Sequence, residues 1–423
     1  MEEGILALRA YAKQKVDENR DSILANLRKK VELPLVLDVG FPGAAYFSIS
    51  AGGLAEVLHL LGDDVVQVDR FVGASGGACS LFLIVANLLT EPSETPSVGV
   101  RCPSSELLLR SYLQYGESEG SSTVSRGFNA MVQSVRGCSP FWERTYRALL
   151  QDERVFQSIR QRAFCAVAAK PIRTMMRSAA GAERAKQEVP KNGTSRDTAD
   201  PSQAHAFRAA SDNYIFHDYA NREQAVQAFV ATGEATLKGF MGGIDVIGAE
   251  ESGSKADAGK AAPMTLLSCD EAGVSCSCAL DLPPKFCDGG HPVDFGLLPS
   301  KVIPTKASSG AADKSRNAFL YFHTFYDNDQ TDAALVSPES VQRLFQKGVD
   351  RAIACLTSES FASPQPDLRS TKSGKKLAAD RMVIIMPDSA PEVELAKIGH
   401  EKTLAGGAFV SLRLGEVFEL ASS

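Results

Sequence analysis

The sequence predicts an α/β fold, a three-layer domain with a mainly parallel central sheet and flanking helices. Two observations predict it. Short apolar runs alternate with helical stretches from residue 33 onward, and the turns after the first two runs are rich in glycine. Strand, loop, helix, strand, turn, helix is the order that builds parallel strands joined by helical crossovers.

The elements follow in order. Residues 4–30 carry apolar side chains at Ile5, Leu8, Tyr11, Val16, Ile23, Leu24 and Leu27 among many charges, the pattern of an amphipathic helix. The face lacks Trp, Phe and dense Lys, so packing on its own domain is favoured over a membrane surface. Leu33-Pro34-Leu35-Val36-Leu37 reads as a buried strand and Gly40-Phe41-Pro42-Gly43 as the turn after it. A helix is expected over 47–61, a strand over 65–72 and an apolar helix over 78–89. Further on, a helix is expected at 142–162, a strand at 163–169, strands at 319–326 and 381–387, and a helix at 338–355.

Two polar stretches, 176–211 and 249–262, hold few large apolar residues and exceed the usual length of a structureless loop. They read as insertions within one domain. The expected organisation is an N-terminal helix over 1–32, a catalytic domain over 33–300, and an α/β extension over 301–423 that completes it.

With a formal net charge of −6 and no long Lys/Arg block, the chain lacks the electrostatic footprint of a nucleic-acid binder. Its nine cysteines are scattered, and the charged N-terminus has no apolar signal core. No uncharged run offers the roughly 18 consecutive apolar residues of a spanning helix. A reduced, cytoplasmic protein is expected. Cys276, Cys278, Cys287 and His291 lack the paired knuckles of a zinc site, so neither metal nor cofactor is expected.

Three motifs carry chemistry. Gly73-Ala74-Ser75-Gly76-Gly77 stands between a strand and a helix, where a G-x-S-x-G elbow exposes its serine as a nucleophile. The glycines permit close approach, and the helix N-terminus adds positive potential where an oxyanion develops. A plain turn remains the alternative for this motif alone. The loop Gly40-Phe41-Pro42-Gly43 leaves the neighbouring strand toward the same side. Its N–H groups, with that of Gly76, suit an oxyanion hole, in which one donor is worth about 100- to 1000-fold in rate. The third motif is Asp288-Gly289-Gly290, by itself a common turn signal.

In this order the three motifs resemble the patatin-like phospholipases, and among them the branch that includes adipose triglyceride lipase. The run VGFPGAAYFSISAGGLAEVLHLL followed by VDRFVGASGGACSLFLIVANLL carries the resemblance, and 213–243 and 336–353 extend it more loosely over about 33–353. The resemblance implies a Ser–Asp dyad of Ser75 and Asp288. It also implies an oxyanion hole from Gly40, Phe41, Gly43 and Gly76, and structural glycines at Gly73, Gly77, Gly289 and Gly290.

The implied activity is hydrolysis of lipid carboxylic esters, with a phospholipid or acylglycerol substrate met at a membrane or lipid-droplet surface. The chain departs from the family at Asp38, where glycine is usual, at Pro42, which lacks an N–H, and after the third motif at Asp294 and Gly296. A carboxylate beside an oxyanion hole would repel the developing charge. These departures motivate one alternative, an inactive patatin-fold scaffold or lipid-binding protein. The other is a Ser-His-Asp α/β-hydrolase drawing on His291, His323 or His400.

Overall fold

The computed structural model describes residues 1–41, 48–87, 101–118, 140–169, 213–233, 264–269, 275–280, 286–288, 317–322, 336–359, 361, 383–386 and 410–413. Both polar stretches, the three candidate histidines, and Pro42, Gly43, Gly289, Gly290, Asp294 and Gly296 lie outside them.

The chain forms a mixed α/β fold around a mostly parallel sheet. Inside it lies β1 (Leu35–Phe41), paired in parallel with β2 (Val66–Ala74) on one edge. On its other edge β1 pairs in parallel with β8 (Asn317–Phe322). β3 (Ala163–Ala169) continues beyond β2 and β9 (Val383–Met386) beyond β8, both parallel. β4 (Asn213–His217) runs antiparallel to β3 and carries β10 (Val410–Arg413) on its outer edge. β5 (Met264–Cys269) and β6 (Ser275–Leu280) form a separate antiparallel pair that the periodicity does not reveal.

Successive residues of β1 and β2 are almost all buried, so both faces of these strands are covered. The strand order places β2 and β3 to one side of β1 and β8 and β9 to the other. The carboxyl end of β1 is therefore a topological switch point, where open α/β sheets leave a crevice for ligands.

The helix α1 (Glu2–Lys30) buries Ile5, Leu8, Ala12, Val16, Ile23 and Leu27 against α2 (Ser50–Leu61) and α8 (Pro338–Thr357). Arg9 bridges Glu56 of α2 and Glu106 of α4 (Glu106–Ser118), and Asn26 donates to the carbonyls of Leu356 and Ser358. These contacts dock the helix on the domain. α2 and α8 approach so closely that a Cβ at Gly348 would sit 2.0 Å from the Ser50 carbonyl oxygen. The start of α8 is fixed by a capping box between Ser337 and Ser340.

The single helix expected at 142–162 is instead two, α5 (Pro140–Leu149) and α6 (Glu153–Arg162). Asp152 breaks them by accepting the backbone N–H of Arg154 and capping the second. Among the described residues, no helix is long and apolar enough to cross a membrane.

Candidate active site

β2 ends at Ala74, and α3 (Ser75–Val85) begins at the very next residue. An extended cap such as Ala74 is enough to turn a strand into a helix with ordinary backbone angles. Here the first helical residue, Ser75, departs from them, with a φ of +50°. Among the described residues the other non-glycine with positive φ is Asp218, a residue type that tolerates the left-handed region. A serine held there costs on the order of 1–3 kcal/mol, and such strain clusters at functional sites.

Gly73 makes the turn sterically possible. A Cβ there would lie 2.4 Å from Leu81 Cδ2 and 2.8 Å from the Ala78 nitrogen, so the first turn of α3 lies directly over it. Ser75 and Gly76 are part-exposed, whereas Gly77 is buried. No acidic residue stands in the first turn of α3, so its N-terminal potential is not offset from within the helix.

Gly40 and Phe41 are expected on the loop after β1, but they close the strand itself. Gly40 pairs with Val72 and Tyr321, and Phe41 with Gly73. The reason is that β1 has a strand on each edge, which carries the ladder two residues further. The Phe41 ring is fully buried against Phe71 and Phe322 and serves as a core anchor. Because β1 and β2 are parallel, the chain leaves Phe41 on the same side of the sheet as the Ser75 elbow.

Where the chain is next described, Ser48 is held beneath the elbow. Its carbonyl accepts from Ser80 Oγ of α3 at 3.0 Å, and its hydroxyl lies 3.2 Å from the Tyr112 hydroxyl of α4. Cys79, one turn after Ser75, is buried in the same region, and burial pushes its thiol pKa up to about 12. It packs as a neutral side chain.

Asp288 is the last residue of β7 (Phe286–Asp288), which runs antiparallel to β3. Val167 of β3 pairs with Tyr214 of β4 and also with Asp288, so β7 lies on the edge opposite β4. That is the edge β2 occupies. Ala74 faces Ala166, and Asp288 faces the next residue, Val167. β7 thus takes over the edge of β3 where β2 leaves it, one strand step of about 3.3 Å beyond Ala74. The backbones of Ser75 and Asp288 are brought together although 213 positions separate them in the sequence.

Asp38 is neither exposed nor unpaired. Arg70 donates to both its oxygens, Nε at 3.1 Å and a terminal nitrogen at 2.6 Å, and both side chains are buried. A bulge creates the pair. Leu37 faces Val68, but Asp38 faces Arg70, so Asp69 is passed over. In unbroken register Asp38 would face Asp69, and two carboxylates would meet inside the sheet. Arg162 repairs the disturbed ladder by donating to the carbonyls of Val68 (2.6 Å) and Asp69 (3.1 Å). The spacing marks neither arginine, although the adjacent charges Asp69 and Arg70 inside a strand are a readable signal.

α7 (Arg222–Thr232) closes the site from the side. It packs against α3, β3 and β7, and its last residue, Thr232, accepts the Ser75 backbone N–H through Oγ1 at 2.8 Å. No sequence pattern marks this threonine. No family model matches the chain, and no curated protein or solved structure does so either.

Proposed function

We propose that the chain is a serine acyl hydrolase acting on lipid carboxylic esters, a phospholipase A or acylglycerol lipase built on a three-layer patatin-like domain. The observation that carries this reading is the left-handed backbone of Ser75 at the head of α3. A mere strand-to-helix joint has no need of a strained serine, whereas a nucleophile elbow requires one.

In this reading Ser75 Oγ attacks the ester carbonyl carbon while Asp288 takes the hydroxyl proton. The carbon–oxygen bond to the leaving alcohol then breaks, and the alcohol departs with that proton. Water, deprotonated by Asp288, attacks the acyl-serine, releases the fatty acid and restores Ser75. The N–H of Gly76 at the α3 terminus stabilises the oxyanion, together with donors from the segment that follows β1, where Gly43 lies. The Arg70 partner of Asp38 supports activity, because the carboxylate is compensated before it can act on the oxyanion. Assignment to lipid esters rests on the resemblance of the three ordered motifs, and the substrate would be met at a membrane or droplet surface.

The test is covalent labelling by a fluorophosphonate together with hydrolysis of p-nitrophenyl butyrate. Wild type should take the label on Ser75 and turn over. Ser75→Ala should take none, and Asp288→Asn should lose at least about 1000-fold in turnover, the scale of removing a general base. Labelling that persists in Ser75→Ala overturns the nucleophile. Phosphatidylcholine vesicles and a trioleoylglycerol emulsion, offered separately, then divide the two lipid classes.

A further inference from the structure

The N–H of the first residue of a helix has no acceptor within that helix. In α3 this residue is Ser75, and the preceding Ala74 offers no capping side chain. The acceptor comes from another element, Oγ1 of Thr232 at 2.8 Å, a residue only 1 % exposed.

Thr232 is itself firmly placed. Three residues earlier on α7, Phe229 sits edge-on to Phe82 of α3 with ring centroids 4.9 Å apart. One residue before that, the Ala228 carbonyl accepts from Cys165 Sγ of β3 at 3.3 Å. β3 is also the strand against which β7 ends at Asp288. One helix therefore holds the backbone of the nucleophile and packs on the strand that carries its partner.

We infer that Thr232 is a positioning residue, whose hydroxyl holds the Ser75 backbone in the left-handed conformation that presents its side chain at the elbow. The tether acts on the amide and leaves the Ser75 hydroxyl to the reaction. Its kinetic consequence rests on the hydrolase reading above; its structural consequence does not.

Three variants separate the hydroxyl from the bulk of the side chain. Thr232→Val removes only the hydroxyl, Thr232→Ser keeps it, and Thr232→Ala removes both hydroxyl and methyl. Two readouts are made on the full chain: peptide-resolved hydrogen exchange over the segment containing Ser75, and kcat and KM for p-nitrophenyl butyrate. Loss of one such hydrogen bond should speed exchange of that segment and lower kcat, each by about tenfold, with KM unchanged. Thr232→Ser should stay near wild type in both.

Equal behaviour of the Val and Ser variants overturns the proposal. If Thr232→Val fails to fold, the Ser and Ala variants make the same comparison, and their equality overturns it equally. If wild type takes no fluorophosphonate, the hydrolase reading fails by itself. Exchange at Ser75 then still decides whether Thr232 holds that amide.

Discussion

β2 departs from regular geometry twice, and the two places are handled in opposite ways. At its middle, the bulge at Asp69 is compensated on every side. Asp38 and Arg70 form a buried bidentate pair, and Arg162 occupies the carbonyls that the ladder gives up. Just past its end, Ser75 holds a left-handed backbone, the residue stays part-exposed, and its amide reaches over to another helix. The first irregularity is closed off from chemistry and serves the core. The second is kept open. An irregular position can serve chemistry only where the residue is not sealed in the core, and of these two places only the second meets that condition.

The largest effect is expected at the closed end. Arg70→Met leaves Asp38 charged, buried and without its bidentate partner, and should destabilise the fold by about 3–5 kcal/mol. Adding Asp38→Leu to Arg70→Met should recover part of that loss, because the carboxylate that faces Arg70 goes with it, while the buried Asp69, 4.0 Å from Arg70 Nε, still loses that contact. Urea unfolding of the two variants beside wild type measures both. A single variant as stable as wild type would mean that the pair does not compensate the bulge.

Much of this frame was legible in the sequence, for physical reasons that differ by element. β1 and β2 are almost wholly buried and β3 buries Ala163, Phe164 and Cys165, so these runs stand out, and β3 matches its expected span of 163–169. α8 announces itself by Ser337 and Pro338 at its start. What periodicity does not carry is register. Nothing in the spacing of Asp38, Asp69 and Arg70 says that the ladder skips a residue, so Asp38 read as a bare carboxylate. The same limit applies to the site. Ser75 is marked by its glycines and its elbow, but the placement of Asp288 beyond Ala74 is a fact of strand pairing, visible only when β7 is laid on β3. Thr232 leaves no local trace at all, since its role depends on where the end of α7 falls.

The open end predicts a smaller effect of the opposite sign. Ser75→Gly and Ser75→Ala both remove the hydroxyl, but only glycine accepts a φ of +50° without steric cost. The glycine variant should be more stable than the alanine variant by about 1 kcal/mol, the scale of a single left-handed residue. Both keep the amide that Thr232 accepts, so the difference isolates the backbone. Equal unfolding midpoints for the two would show that the elbow stores no strain, and the contrast with the bulge would then fail.

The weakest expected effect concerns the interior just below the elbow, where Cys79 is buried. Burial raises the Cys79 thiol from its ordinary value of 9.0 to about 12. The sign follows from proton binding. Between those two values the unfolded chain has released the proton and the native chain has kept it, so stability contributed by the neutral thiol is full below pH 9. It then falls as pH rises toward about 12, at up to about 1.4 kcal/mol per pH unit. Over the first half unit above pH 9 this amounts to roughly 0.4 kcal/mol for one thiol. Cys355 is also raised by burial, and the buried Tyr112 and Tyr219 hydroxyls add their own losses above pH 10. The readout is therefore the difference between wild type and Cys79→Ala over that first half unit. A flatter slope in the variant is the expected result. Identical slopes would place water beside Cys79, and the floor of the elbow would then be no drier than its mouth.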